Sequence, residues 1–119
     1  MVEAVFQMNS RNKVQSFVIS GHTESVPAGQ ADPICAAVSF LGQNSINGIE
    51  ALTPDAIRYK ANDDGYLEAA VPAAARAEES EKTDLILDLL VLGLESLAKQ
   101  YSRFVKVIKV PYNRGGALK

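Results

Sequence analysis

The sequence has one histidine, His22, and one cysteine, Cys35. A thiol with an imidazole is a minimal pair for nucleophilic attack on a carbonyl. Cys35 lies three residues past Asp32, and Pro33 follows that Asp directly. An Asp cap with Pro at the first helical position marks a helix start, because Pro lacks only an N–H that would be unpaired there. The first turn of a helix favours negative charge, so a thiolate at position 35 is favoured. His22 would take the thiol proton and return it to a leaving amine. Unpaired N–H groups near Cys35 and Ala36 are candidate donors to a developing oxyanion.

Position alone leaves plainer roles open. A lone Cys in an apolar helix is commonly a small buried hydrophobe, and a lone His after a strand a hydrogen-bonded loop residue. Asp32 reads as a helix cap or as an orienter of His22. Ser39, one turn after Cys35, reads as a helix-packing hydroxyl or as a hydrogen-bonding group near the site. The loop around His22 holds Gly21, Thr23, Glu24 and Gly29, and its part over 23–31 would close over a bound peptide. Other chemistries are poorly supplied. One His, one Cys and scattered carboxylates do not make a four-ligand zinc site. Gly21 to Gly29 lacks the Gly-Lys-Ser/Thr of a phosphate loop. No cofactor is implied.

These side chains must be placed by a small fold. The 119 residues fit one domain, here 1–112 with a mobile tail over 113–119, and 47% hydrophobic residues suit a globular core. Residues 2–9 and 12–19 read as strands joined at Ser10-Arg11-Asn12. A first helix runs from Asp32-Pro33 to Leu52, with Val38, Leu41, Ser45, Ile49 and Leu52 at helical spacing. Its small residues, Ala36, Ala37, Gly42 and Gly48, permit close packing. A hairpin over 56–60 and 66–71 turns at Asn62-Asp63-Asp64-Gly65. The charged, Ala-rich stretch 73–82 reads as a linker. A second helix over 83–102 has Ile86, Leu89, Leu90, Gly93, Leu94, Leu97 and Tyr101 as its buried stripe. A strand over 104–110 follows. The order ββαββαβ predicts an α+β domain, two helices packed on a small β-sheet. A homodimer is one way to cover the apolar face that remains.

A formal net charge of -2 argues against a general nucleic-acid binder and supplies no polybasic membrane anchor. The basic residues near the C-terminus are offset by the acidic run Glu78 to Asp88. The N-terminus lacks the pattern of a signal peptide. Leu85 to Leu94, broken by Asp88, is too short to span a bilayer. A lone cysteine forms no intrachain disulfide, which fits a reducing compartment, so a cytoplasmic protein is expected.

The run Gly21-His22-Thr23, then Gly29, then Asp32-Pro33-Ile34-Cys35-Ala36-Ala37-Val38-Ser39 resembles the signature of the bacterial ribosomal-processing cysteine proteases (the Prp family). That signature reads G-H-A, a short loop, then G-x-D-x-V-C-A-A-x-S. The chain departs from it at Thr23, at Pro33, in one extra residue between Gly29 and Asp32, and in the loop residues Val26-Pro27-Ala28. The resemblance implies a homodimeric Cys–His endopeptidase with Cys35 and His22 as the dyad. It implies a peptide partner, the N-terminal extension of large-subunit ribosomal protein twenty-seven, cut after an apolar, aromatic-containing segment. Two other functions stand beside it: a non-catalytic ribosome-associated peptide-binding module, and a small thiol acyl hydrolase.

Overall fold

A computed structural model describes residues 1–22, 25–27, 29–72 and 81–112. In chain order the elements are β1 (Val2–Met8), β2 (Val14–Gly21), α1 (Pro33–Leu52), β3 (Arg58–Asn62), β4 (Tyr66–Ala70), α2 (Glu81–Gln100) and β5 (Val105–Pro111). This is the expected ββαββαβ order. The linker residues 73–80 and the tail 113–119 lie outside the described residues.

The five strands form one sheet in the order β3-β4-β2-β1-β5. Neighbours are antiparallel except β5, which runs parallel to β1. Parallel neighbours need a crossover connection, and the chain between the β3–β4 hairpin and β5 contains α2. Alternation along the strands sends Ala4, Phe6, Phe17, Ile19, Leu67 and Ala69 to the helix-covered face. Phe6 and Phe17 are cross-strand partners, with ring centroids 5.8 Å apart. They pack with Ile46, Ile49, Leu87, Leu90 and Leu94 from the helices. Burial of each such side chain is worth about 1.5–3 kcal/mol.

Local chemistry explains where the element ends differ from expectation. β2 starts at Val14, because Asn12 takes φ 60 in the turn and Asn9 Oδ1 accepts from the amides of Arg11 and Lys13. β3 starts at Arg58, because the preceding segment is drawn inward. There Asp55 is buried, and its carboxylate accepts a 2.6 Å hydrogen bond from the buried hydroxyl of Thr83. α2 begins at Glu81, so Glu81 and Lys82 belong to the helix and not to the linker.

The helix faces also differ. In α2 the buried residues are Thr83, Leu87, Leu90, Val91 and Leu94, while Leu89 is 68% exposed and Tyr101 39% exposed. Leu90 and Leu94 of the expected stripe are thus buried, and Ile86 and Leu97 pack against the core; the additional Leu and Val residues of this helix shift the inner face away from Leu89 and Tyr101. In α1, Leu52 is exposed in the last turn, and Ile34, Gly42 and Ile46 join the buried set. Gly42 allows the helix to approach the sheet. A Cβ there would come within 2.7 Å of Leu67 Cδ2 and 3.1 Å of Ile19 Cδ1. Two partly exposed ion pairs, Lys13–Asp88 at 3.0 Å and Lys109–Glu95 at 3.6 Å, tie strand and turn residues to α2. Such pairs contribute at most about 1 kcal/mol each.

Candidate functional site

Three segments converge at one end of the sheet. His22 follows the last residue of β2, Cys35 sits in the first turn of α1, and the β3–β4 turn lies beside Gly21 and His22. Gly21 makes the exit from β2 possible. Its φ is +103, and a Cβ would collide with the backbone carbonyl of Met1, the residue just before the paired strand β1. The amide of Gly21 donates to the Gly65 carbonyl at 2.9 Å, and the Met1 amine donates to the His22 carbonyl at 2.7 Å.

Asp32 anchors the other side. It takes extended backbone angles, φ -98 and ψ 108, and Oδ1 accepts from the amides of Ile34 and Cys35, both at 3.0 Å. Ser25 donates to the same carboxylate from its amide (2.8 Å) and its hydroxyl (2.6 Å). Asp32 therefore caps α1 and ties the preceding loop to it. The Cys35 amide is engaged by this cap, and the Ala36 amide donates to the Asp32 carbonyl at 3.0 Å. Neither is unpaired in this structure, so an oxyanion reaching either would share a donor already bonded.

His22 and Cys35 line the same cavity of about 540 Å³, together with Gly21 and Ser39. Ile19, Val38 and Leu67 contribute apolar wall. Asp32, Ala36 and Gly29 are not part of the wall among the described residues, and Gly29 takes φ +87 in the loop. Thr23 and Glu24 lie outside the described residues. Three contributors were not singled out from the sequence. Phe40, 66% exposed, and Gln43 lie on the cavity side of α1, and the β3–β4 turn supplies Asn62, Asp63, Gly65 and Tyr66. The spacing 35, 39, 43 carries a helical signal for Gln43. The turn carries none, since the pairing of β4 with β2 brings it there.

Cys35 is half-buried and His22 exposed. The Tyr66 hydroxyl donates to Glu68 Oε2 at 2.8 Å. That bond, with some desolvation and the carboxylate's charge, raises the phenol above its ordinary value. No group of three or more His, Cys, Asp or Glu side chains is placed to hold a metal ion among the described residues. No described helix is long and apolar enough to cross a membrane. What the cavity offers is a soft nucleophile and a proton carrier on a partly apolar wall.

The family model for cysteine protease Prp matches residues 1–106. The chain belongs to the cysteine protease Prp family. It is 23% identical to the ribosomal processing cysteine protease Prp of Bacillus subtilis, over 90% of this chain and 96% of that protein. The crystal structure of the S. aureus ribosomal processing protease Prp with a covalently linked product peptide superimposes with a TM-score of 0.81. It does so at 21% identity, over 92% of this chain and 99% of that one. SMU.848 from Streptococcus mutans matches with a TM-score of 0.76 at 28% identity, over 94% and 96% of the two chains. The Prp family makes this chain a cysteine peptidase, and the S. aureus Prp protease has been crystallised with a substrate peptide and with a covalently linked product peptide.

Proposed function

We propose that this protein is an endopeptidase that removes the N-terminal extension of large-subunit ribosomal protein twenty-seven during ribosome maturation. Cys35 attacks the scissile carbonyl as a thiolate, and the C–N bond breaks from the tetrahedral intermediate. His22 holds the thiol proton and passes it to the leaving amine; water then releases the acyl enzyme. The observation that carries this reading is the shared cavity wall of His22 and Cys35 in a chain of the cysteine protease Prp family. Phe40 and the neighbouring apolar wall suit an aromatic-containing peptide. Asp32 holds the first turn of α1, and Ser39 lines the cavity one turn further along.

The test is a peptide spanning the extension and the mature start of that ribosomal protein, incubated with the unmodified protein and with Cys35→Ala, and read by mass spectrometry. A single cut made only by the unmodified protein is expected. No cut, with binding retained by both forms, would favour the non-catalytic peptide-binding module instead. The same reading puts the protein in the cytoplasm, where ribosomal proteins are made, with no direct nucleic-acid contact.

We also infer a homodimer. Leu85, Leu89 and Leu92 form an exposed apolar stripe on α2, each more than 60% exposed, and Val5, Val18 and Ile108 share the uncovered sheet face by register. Light scattering should give twice the 12.8 kDa chain mass. A monomer at tens of micromolar would end this inference, and Leu89→Glu against Val18→Glu would tell which face pairs.

A further inference from the structure

We propose that Gly65, in the β3–β4 turn, is a positioning residue that sets the place of the His22 imidazole. The inference rests on the protease reading, because it concerns the histidine that reading uses. The turn is built for a glycine. Asn62 pairs with Tyr66 across three residues, Asn62 Oδ1 accepts from the Asp64 amide at 2.8 Å, and Gly65 takes φ +76. A three-residue hairpin loop commonly ends in such a left-handed glycine. Hairpin geometry alone would accept Asn there, since Asn tolerates positive φ.

The space around Gly65 accepts no side chain. A Cβ would lie 2.9 Å from His22 Cε1, 3.1 Å from His22 Nε2 and 2.5 Å from the Gly21 carbonyl oxygen. The bare Cα therefore serves as the surface beside which the ring sits. The Gly65 carbonyl meanwhile accepts from the Gly21 amide, one residue before the histidine. One residue thus holds the backbone that carries His22 and limits where its ring can go. Ordinary carbon contacts lie at about 3.5–4.0 Å, so a methyl on Gly65 requires the ring to retreat by roughly 0.5–1 Å. A misplacement of about 1 Å in a reacting group costs on the order of 100-fold in rate.

The experiment uses the full chain. His22 is the one histidine, so its Hε1 proton gives a single resolved NMR signal. A nuclear Overhauser contact from that proton to the Gly65 Hα protons is expected in the unmodified protein; its absence overturns the proposal. Gly65→Ala and Gly65→Asn should each lower kcat for the peptide by about 10- to 100-fold with KM changed less than about threefold. Asp64→Ala, which alters the turn without adding an atom at position 65, should keep kcat. A folded Gly65→Asn with unchanged kcat overturns the proposal, and so does an equal loss in Asp64→Ala. If neither Gly65 variant folds, the Overhauser contact decides. An unmodified protein that makes no cut would count against the protease reading, while the contact is still judged by the spectrum.

Discussion

Replacing Asp32 by Ala should unfold the protein more easily and separate the two roles this residue could have. Its carboxylate accepts from the amides of Ile34 and Cys35 and from the amide and hydroxyl of Ser25. Losing an N-cap costs about 1 kcal/mol, within a range of roughly 0.5–2. The two bonds from Ser25 end on a charged acceptor in a half-exposed place, so about 1 kcal/mol for the pair is a low-end figure. The sum, about 2 kcal/mol, corresponds to a Tm lower by roughly 6–12 °C for a chain of this length. Asp32→Asn keeps one oxygen for the helix amides and the Ser25 hydroxyl, but its NH2 cannot accept from the Ser25 amide as Oδ2 does, so about a quarter of that loss is expected. Circular dichroism melts of the three proteins measure this. The peptide assay then separates the roles: a cap alone leaves the kcat of Asp32→Asn within a few-fold, whereas an orienter of His22 would cost it about 100-fold or more. An Asp32→Ala protein that melts within about 2 °C of the unmodified one would refute the reasoning.

Gly48 lies inside α1, and a Cβ there would meet Ile86 at an ordinary 3.8 Å. Gly48→Ala should therefore raise stability by about 1 kcal/mol through helix propensity, and a lower Tm would mean that the helices pack more closely than these distances imply. Thr83→Val removes the hydroxyl that donates to buried Asp55 and should cost about 1–3 kcal/mol in urea unfolding, with an unchanged midpoint as the contrary result. The Tyr66 phenol is held above its ordinary value by its bond to Glu68. A proton bound more tightly in the fold stabilises it fully below the unfolded phenol's range, near 10, and that share is lost as pH rises through the folded value. Tyr66→Phe should then be less stable at pH 8, with the gap narrowing in strong alkali, and should remove one phenol that titrates above the ordinary range from the absorbance at 295 nm.

Much of the fold was legible because its signals are local. Asp32-Pro33 started α1 where caps act, the β-branched and aromatic residues of the first two strands alternated with period two, and Asn62 to Gly65 made a turn. Those effects reach a few residues along the chain and survive without knowledge of the rest. The inner face of α2 was legible in part: Leu90 and Leu94 of the expected stripe are buried and Ile86 and Leu97 pack against the core, but Leu89 and Tyr101 face outward. Leucines also stand at 85, 87, 89 and 92 and a valine at 91, so contact with the sheet and α1 decided that Thr83, Leu87 and Val91 join Leu90 and Leu94 inside.

The sequence by itself determined the two chemical groups, Cys35 and His22, the helix start that places the thiol, and the family signature around them. Tertiary structure decided the strand order β3-β4-β2-β1-β5, the parallel pairing of β1 with β5, and the cavity that His22 and Cys35 both line. It also decided that a turn more than forty residues beyond His22 would lie against its ring. That contact depends on the register of β2 with β4, where Ser20 faces Tyr66. Register is set by which faces are buried across the whole sheet, so no short stretch of sequence could contain it.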